Sequence, residues 1–440
     1  MINLFDKNDQ KTRDLMTSLD QAGFAHQTVF LADDGWLPLG SESPYMYFTG
    51  RTNQGRARYF NELTLPKYWE IHGSNSEASI SFYGVTKAKI NYALPKERRL
   101  IKSVDWLDPS GKLHFTDHYD RAGVRFAQTV YDKAQTPIVR TYFDEAQNEV
   151  IVENFVTKDI LLTQAGKTIN FKNLVDFTLY YLAQRKFDLQ QIFINSLGTP
   201  LLVLARLPQT GADVVFWQEE LTDNIPGNMQ FILDGELPRV KKIVMQDEKT
   251  YTRAKELVPE TEMFANLGFI YAKKRANHHQ KTALILTNSD QLEQFITLVD
   301  ELPDFEFKIA AVTEMSQHLM NLGQADNIEL YPNVSQKELA DLWQSADFYL
   351  DINHQNELQN AVRQAYENDM LILSFENTLH DPNFVAKENV YRPSEAKAMA
   401  AKLRRAASER KYLAELLAKQ AKQAKEATVA QYQEILGQVK

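Results

Sequence analysis

An aromatic residue or leucine followed by aspartate recurs at Leu107-Asp108, Tyr119-Asp120, Tyr131-Asp132 and Phe143-Asp144, with a step of 12 residues each time. Few patterns constrain a fold more tightly. Such a step holds roughly eight residues of strand and about four of turn, and aspartate at the first turn position seeds the reversal. Because the step is even and strand side chains alternate with a period of two, every repeat returns its side chains to the same face. The helical period of about 3.6 residues is missing from this stretch. The spacing predicts an antiparallel meander, with Gly111, Gly123 and Asn148 where such turns tolerate left-handed geometry. Asp117-His118-Tyr119-Asp120 is read as one of its hairpin turns.

On both sides of this β-rich stretch the chain alternates strand and helix. Ile2–Phe5 reads as a strand, Asn8 and Asp9 as candidate helix caps, and Gly23 as the residue that ends the first helix. The alternation resumes near residue 168, so the meander is an insertion. The second half is regular, with strands expected at 282–286, 305–311, 328–331, 347–351 and 371–375 and a capping box at Ser335–Glu338. Such alternation implies parallel, doubly wound sheets. The expected fold is α/β, with residues 1–50 and 168–272 forming a first Rossmann-like domain and 51–167 an antiparallel β-meander add-on inserted in it. Residues 273–410 form a second Rossmann-like domain, and 411–440 a C-terminal helix packing back on the body. The polar stretch Lys273–Lys281 reads as a solvated linker between the two.

Several chemistries are excluded. The net charge of −9 and the lack of a basic stripe argue against nucleic acid. With no cysteine there is no disulfide, thiolate metal site or thiol nucleophile, which fits a reducing cytoplasm. The N-terminus has no secretory signal pattern, and no apolar run is long enough to span a membrane, so membrane contact is at most peripheral. The loop after the first strand, Asp6-Lys7-Asn8-Asp9, lacks the glycines that let a backbone approach a pyrophosphate, and no P-loop occurs. The scattered histidines offer no ligand spacing, the pair His278-His279 included. Neither a metal nor a cofactor is expected.

Residues 333–377 resemble the donor-binding signature of GT-B glycosyltransferases, in which two Rossmann-like domains face each other across a cleft. That family carries E-x7-E before an alanine. Here Ala365 fixes the register, and Asn356 and Gln364 stand where the two glutamates belong. The resemblance implies that the first carboxylate faces the donor sugar and the second the ribose. An amide keeps the size but loses the charge. The Arg and Lys that such enzymes carry after the first strand of this domain are also missing, where the chain reads Leu286-Thr287-Asn288-Ser289-Asp290. Cations there stabilise the departing diphosphate. Asn288, Asn356, Glu357 and Gln364 are therefore expected to mark a vestigial donor pocket without a catalytic residue.

Across its whole length the sequence resembles the GtfB family, through Ser43-Pro44-Tyr45, Tyr59-Phe60-Asn61, Tyr68-Trp69-Glu70-Ile71, Val104-Asp105-Trp106-Leu107-Asp108 and Val150-Ile151-Val152-Glu153-Asn154, among other segments. The resemblance implies a non-catalytic, stabilising subunit of a bacterial protein O-GlcNAc transferase complex. Its implied partners are a catalytic GtfA-like homologue, held through inserted β domains, and a Ser/Thr-rich adhesin, unmodified or GlcNAc-modified. It also implies a position before accessory Sec export, cytoplasmic and at most peripheral on the membrane. Two alternatives stay open: an active retaining UDP-sugar-dependent glycosyltransferase using Glu357, and a stand-alone glycopeptide-binding module.

Overall fold

The computed structural model describes residues 1–74 and 76–437. The chain forms two compact units, one of residues 1–268 with 429 onward, the other of 269–428.

The first unit begins with strands β1 (Ile2–Phe5) and β2 (Gln27–Phe30). The helix between them, Gln10–Gln21, starts at Asp9, whose carboxylate accepts the Thr12 N–H at 2.9 Å. It ends before Gly23, whose φ of +87° only glycine adopts without cost. Ten antiparallel strands follow in chain order: β3 (Trp69–Gly73), β4 (Ala78–Phe82), β5 (Val85–Tyr92), β6 (Ile101–Leu107), β7 (Leu113–Tyr119), β8 (Arg125–Tyr131), β9 (Pro137–Phe143), β10 (Glu149–Asn154), β11 (Ile160–Gln164) and β12 (Lys167–Phe171). The chain then returns to the parallel sheet with β13 (Ile192–Ile194), β14 (Asp213–Trp217), β15 (Val240–Met245) and β16 (Phe264–Asn266). That sheet is ordered β16-β15-β14-β13-β1-β2 and is parallel throughout. Its strands are almost entirely buried, as a sheet covered on both faces requires.

The four repeats are the four hairpin turns joining β6 to β10. In each, the aspartate carbonyl accepts the N–H three residues on, as at Asp108–Gly111 (2.9 Å) and Asp132–Gln135 (3.0 Å). Its carboxylate accepts the N–H four residues on: Lys112, Val124, Thr136 and Asn148. A type I turn followed by a left-handed residue and a bulge fits this pattern, and each hairpin shifts register at that point. The left-handed residues are Gly111, Gly123, Gln135 and Gln147. Asn148 therefore lies one residue beyond the position expected of it. Asp117, His118 and Tyr119 are strand residues of β7, and only Asp120 belongs to a turn.

The insertion is not a separate body. Its later strands share one apolar core with the parallel sheet, through Phe126, Tyr142, Ile151, Ile160 and Phe171. Its earlier strands bury Ile80, Ile90 and Val104 in a core of their own. The joint between insertion and parallel sheet is polar and buried. Arg51 hydrogen bonds to Asp33 in the loop after β2, lies 3.5 Å from Asp120 in the second repeat turn, and stacks over Phe126. Gly35 has a φ of +78°, and a Cβ there would stand 2.4 Å from the Phe126 ring.

The second unit holds β17 (Thr282–Thr287), β18 (Glu306–Ala311), β19 (Ile328–Tyr331), β20 (Phe348–Asp351), β21 (Leu371–Phe375) and β22 (Val390–Tyr391). Their order, β19-β18-β17-β20-β21-β22, is the dinucleotide-fold order, whereas the first sheet follows the flavodoxin-like one. Lys273–Lys281 is not a solvated linker. It wraps around buried Asp347, whose carboxylate receives Arg275 at 2.7 Å and the N–H groups of His278 at 3.0 Å and Gln280 at 2.6 Å. The C-terminal stretch forms three helices: Ala396–Ser408, Arg410–Gln423 and Val429–Gly437. The first two build the second unit's core through Leu403, Leu413 and Leu416. The third belongs to the first unit, where the Tyr432 hydroxyl donates to the Gly268 carbonyl at 2.9 Å. Residues 438–440 of the expected 411–440 segment lie outside the described residues.

Candidate functional site

Open parallel sheets bind ligands at the carboxyl ends of their strands, where the strand order reverses. In the second unit that point lies between β17 and β20.

Here the loop after β17 doubles back over the loop after β20. The Glu293 N–H donates to the Ile352 carbonyl at 2.9 Å, the His354 N–H to the Gln291 carbonyl at 3.3 Å, and Leu292 bridges Asn353 antiparallel. Buried Asn353 knots the loops together. Its Oδ1 accepts the Thr287 hydroxyl at 2.8 Å, and its Nδ2 donates to Asn288 Oδ1 at 3.1 Å and to the Gln355 carbonyl at 3.0 Å. Asn288, expected in the donor pocket, is thus engaged by the protein itself. Polar groups that an open site would turn toward a ligand are here turned toward each other.

Asn356 is exposed on the same loop, with its carbonyl 3.4 Å from Asn353 Nδ2. Glu357 is half-buried, and its carboxylate accepts the Val362 N–H at 2.9 Å. It acts as an anionic cap on the helix Ala361–Glu367, whose first flanking residue, Asn360, is left-handed and supplies no side-chain cap. Burial, and then the nearby Asp351 and Asp381, hold its carboxyl above the ordinary range. Gln364, inside that helix, accepts Lys274 Nζ at 2.6 Å. Asn288, Asn356 and Glu357 therefore gather around one loop cluster, while Gln364 is tied to the 273–281 segment that wraps around Asp347.

Sequence reasoning missed a cation at this point. His380 follows β21, and its Nδ1 lies 2.5 Å from Asp351 Oδ1 while its backbone N–H donates to Asp351 Oδ2 at 2.9 Å. Its Nε2 lies 2.6 Å from the Gln355 carbonyl. The hydrogen bond to Asp351 raises the imidazole to about 9, against the burial that would lower it. At neutral pH both ring nitrogens carry protons, and both donate within the protein. His354 similarly meets Glu293 at 2.9 Å, and Asn377 donates to the same carboxylate at 2.7 Å. Among the described residues no group of three His, Asp or Glu side chains could hold a metal ion.

Four family models match consecutive parts of the chain: the GtfB N-terminal domain at residues 2–48, the GtfB middle domain at 69–172, the GtfB third domain at 174–257, and the GftB/GlyA-F C-terminal domain at 283–420. The UDP-N-acetylglucosamine–peptide N-acetylglucosaminyltransferase stabilizing protein GtfB of Streptococcus parasanguinis is 42% identical over 402 residues, covering 91% of this chain and 92% of that protein. The protein of the same name from Streptococcus pneumoniae serotype 4 is 41% identical over 440 residues, covering 99% of each. Among solved structures, a chain in the crystal structure of a GtfA/B complex bound to UDP and GlcNAc matches with a TM-score of 0.93 and 40% identity, covering 100% of both chains. With similarity of this extent along its whole length, the chain belongs to the GtfB family of stabilizing proteins.

Proposed function

We propose that this chain is the non-catalytic, stabilising subunit of a protein O-GlcNAc transferase complex. The observation that carries the reading is the closed switch point of the second unit. A strap, formed by the paired loops after β17 and β20, and the Asn353 knot beneath it lie at strand ends of the kind where open parallel sheets bind ligands, and Glu357, the one acid near the expected register, is committed to a helix end. Asn288, Asn356, Glu357 and Gln364 are the remains of a donor pocket in a chain with two GT-B-like Rossmann domains. Its partner is a catalytic GtfA-like homologue, as in the complex structure that this chain matches. The partner is held through the inserted meander (51–167), the first parallel domain (1–50 and 168–272) serves the acceptor, and 273–410 is the degenerate donor domain.

The complex acts on a Ser/Thr-rich adhesin, unmodified or GlcNAc-modified, before accessory Sec export. It does so in the cytoplasm, peripherally on the inner face of the membrane. No helix among the described residues is long and apolar enough to cross a membrane.

The test is transfer of labelled GlcNAc from UDP-GlcNAc to a serine-rich acceptor by this chain, by the partner, and by both. Transfer that needs the mixture, or is far stronger in it, supports the reading. Transfer by this chain alone would overturn it.

A further inference from the structure

The ten-stranded sheet ends on β3, which has a neighbour on one side only, β4. Their register runs without a bulge from Trp69 opposite Phe82 to Gly73 opposite Ala78. In the hairpin between them the Ser74 N–H donates to the Glu77 carbonyl at 2.8 Å. That bond sets the alternation of the ladder: Glu70 and His72 turn their backbone groups toward β4, and Trp69, Ile71 and Gly73 turn theirs to the open side. There the Trp69 N–H reaches the Pro66 carbonyl at 3.2 Å, while those of Ile71 and Gly73 have no backbone partner among the described residues. Natural sheets usually blunt such an edge with proline, lysine or a bulge, and β3 contains none of these.

The side chains of this edge are their own complement. In an antiparallel pair of two β3 strands centred on Ile71, the two Ile71 residues face each other and exchange both N–H···O=C bonds, using groups left open in a single copy. Glu70 then stands across from His72 of the other copy, and His72 across from Glu70, in the close, non-hydrogen-bonded kind of pair. Both side chains are exposed, by 70% and 62%, and a carboxylate opposite a ring N–H is an acceptor opposite a donor. Trp69 falls across Gly73, where no side chain opposes the indole. Sliding the pair by two residues sets Glu70 against Glu70 in one direction, like charges, and His72 against His72 in the other.

We propose that β3 is a self-pairing edge: it joins β3 of a second copy of this chain about a two-fold axis at Ile71, making one sheet continuous through both copies. The interface is isologous, so each contact off the axis occurs twice. An edge of five residues buries less than a standard interface, and the dimer is accordingly weak and concentration-dependent. The inference concerns the chain alone and does not rest on the adaptor reading.

The experiment follows the full chain by light scattering and amide exchange over a range of concentrations. The unaltered chain is expected to pass from monomer to dimer as it is concentrated, with exchange slowing at Ile71 and Gly73. His72→Glu places carboxylate against carboxylate twice and is expected to weaken the dimer by roughly tenfold. Adding Glu70→Lys reverses both members of the pair and is expected to restore it. Both positions are exposed, and melting curves check that the variants fold. Because the chain has no cysteine, Ile71→Cys supplies a single thiol that is expected to oxidise to a disulfide-linked dimer, whereas Ser74→Cys, away from the axis, is not. A monomer at every concentration, a dimer that His72→Glu leaves unchanged, no rescue by the reversed pair, or cross-linking of Ser74→Cys in preference to Ile71→Cys would each overturn the proposal. So would exchange at Ile71 that slows only when the catalytic partner is added, a result that assigns the edge to that partner.

Discussion

Asn195 and Asn353 hold equivalent posts in the two parallel sheets, and their surroundings differ. Each is buried, follows the strand beside the switch point, and ties the loop after that strand to the loop after the unit's first strand. In the first unit the side chain makes this tie and leaves a crevice beside it. In the second, backbone pairing of Leu292–His354 has been laid over the tie. Similar chain topologies thus give one switch point that can receive a ligand and another that receives its own loop. On the reading proposed above, loss of donor chemistry involves more than exchanging acids for amides, because the loops after β17 and β20 pair over the switch point.

The sharpest test of that contrast is Asn353→Ala. It removes the hydrogen bonds to the Thr287 hydroxyl, to Asn288 and to the Gln355 carbonyl at once. A loss of about 3 kcal/mol is expected for three hydrogen bonds worth about 1 kcal/mol each. Chemical denaturation measures it, and amide exchange at Glu293 and His354 should quicken; unchanged exchange would mean that the strap does not depend on the knot.

His380 gives a smaller, pH-dependent effect. Its folded pKa, about 9, lies above the ordinary value of 6.5. The stabilisation is therefore full below about pH 6.5 and is lost as pH rises through 9. It amounts to about 2 kcal/mol after allowance for partial exposure. His380→Gln keeps one hydrogen bond without the charge, so its stability should be flat across that window. An equally sloping profile in the variant would assign the pH dependence elsewhere.

Asn195→Ala should cost only about 1 kcal/mol, because water entering the crevice can replace the lost partner. A loss as large as that of Asn353→Ala would erase the distinction between open and closed. The smallest expected effect is none: Asn356→Glu with Gln364→Glu should yield no sugar transfer by this chain alone, since the strap remains. Appreciable turnover in that double variant would show that the acids, and not the closure, were what catalysis lacked.

Local features were legible in the sequence. The Ser335–Glu338 capping box and the Asp9 cap form as read, since their partners lie within one turn. The repeat gave the hairpins, but residue type misled where the period would not have. Asn148 looks like a left-handed residue by composition, yet counting on from Gly111 and Gly123 arrives at Gln135 and Gln147, which hold that geometry. Partners distant in sequence were not legible. Lys273–Lys281 is polar enough to pass for a linker, and nothing local announces that Asp347 collects its N–H groups. Asp351 and His380 stand on separate strand ends, so their pairing needs the parallel sheet to bring them together. The amide substitutions at 356 and 364 could be read only against a family pattern.

A sheet with interchangeable turns faces an addressing problem while it assembles. Sliding by one whole repeat keeps every side chain on its proper face, so alternation alone cannot reject the error. The repeats are not identical in one respect: Asp108, Asp132 and Asp144 remain at the surface, while Asp120 is fully buried against Arg51. A slipped sheet would still bring an aspartate to Arg51, but in place of Phe126, over which the guanidinium stacks, it would bring His114, Ile138 or Val150. Gly35, with no room for a side chain beside Phe126, narrows the choice further. The joint between insertion and parallel sheet thus serves as an index mark, telling the chain which of four similar hairpins is the second.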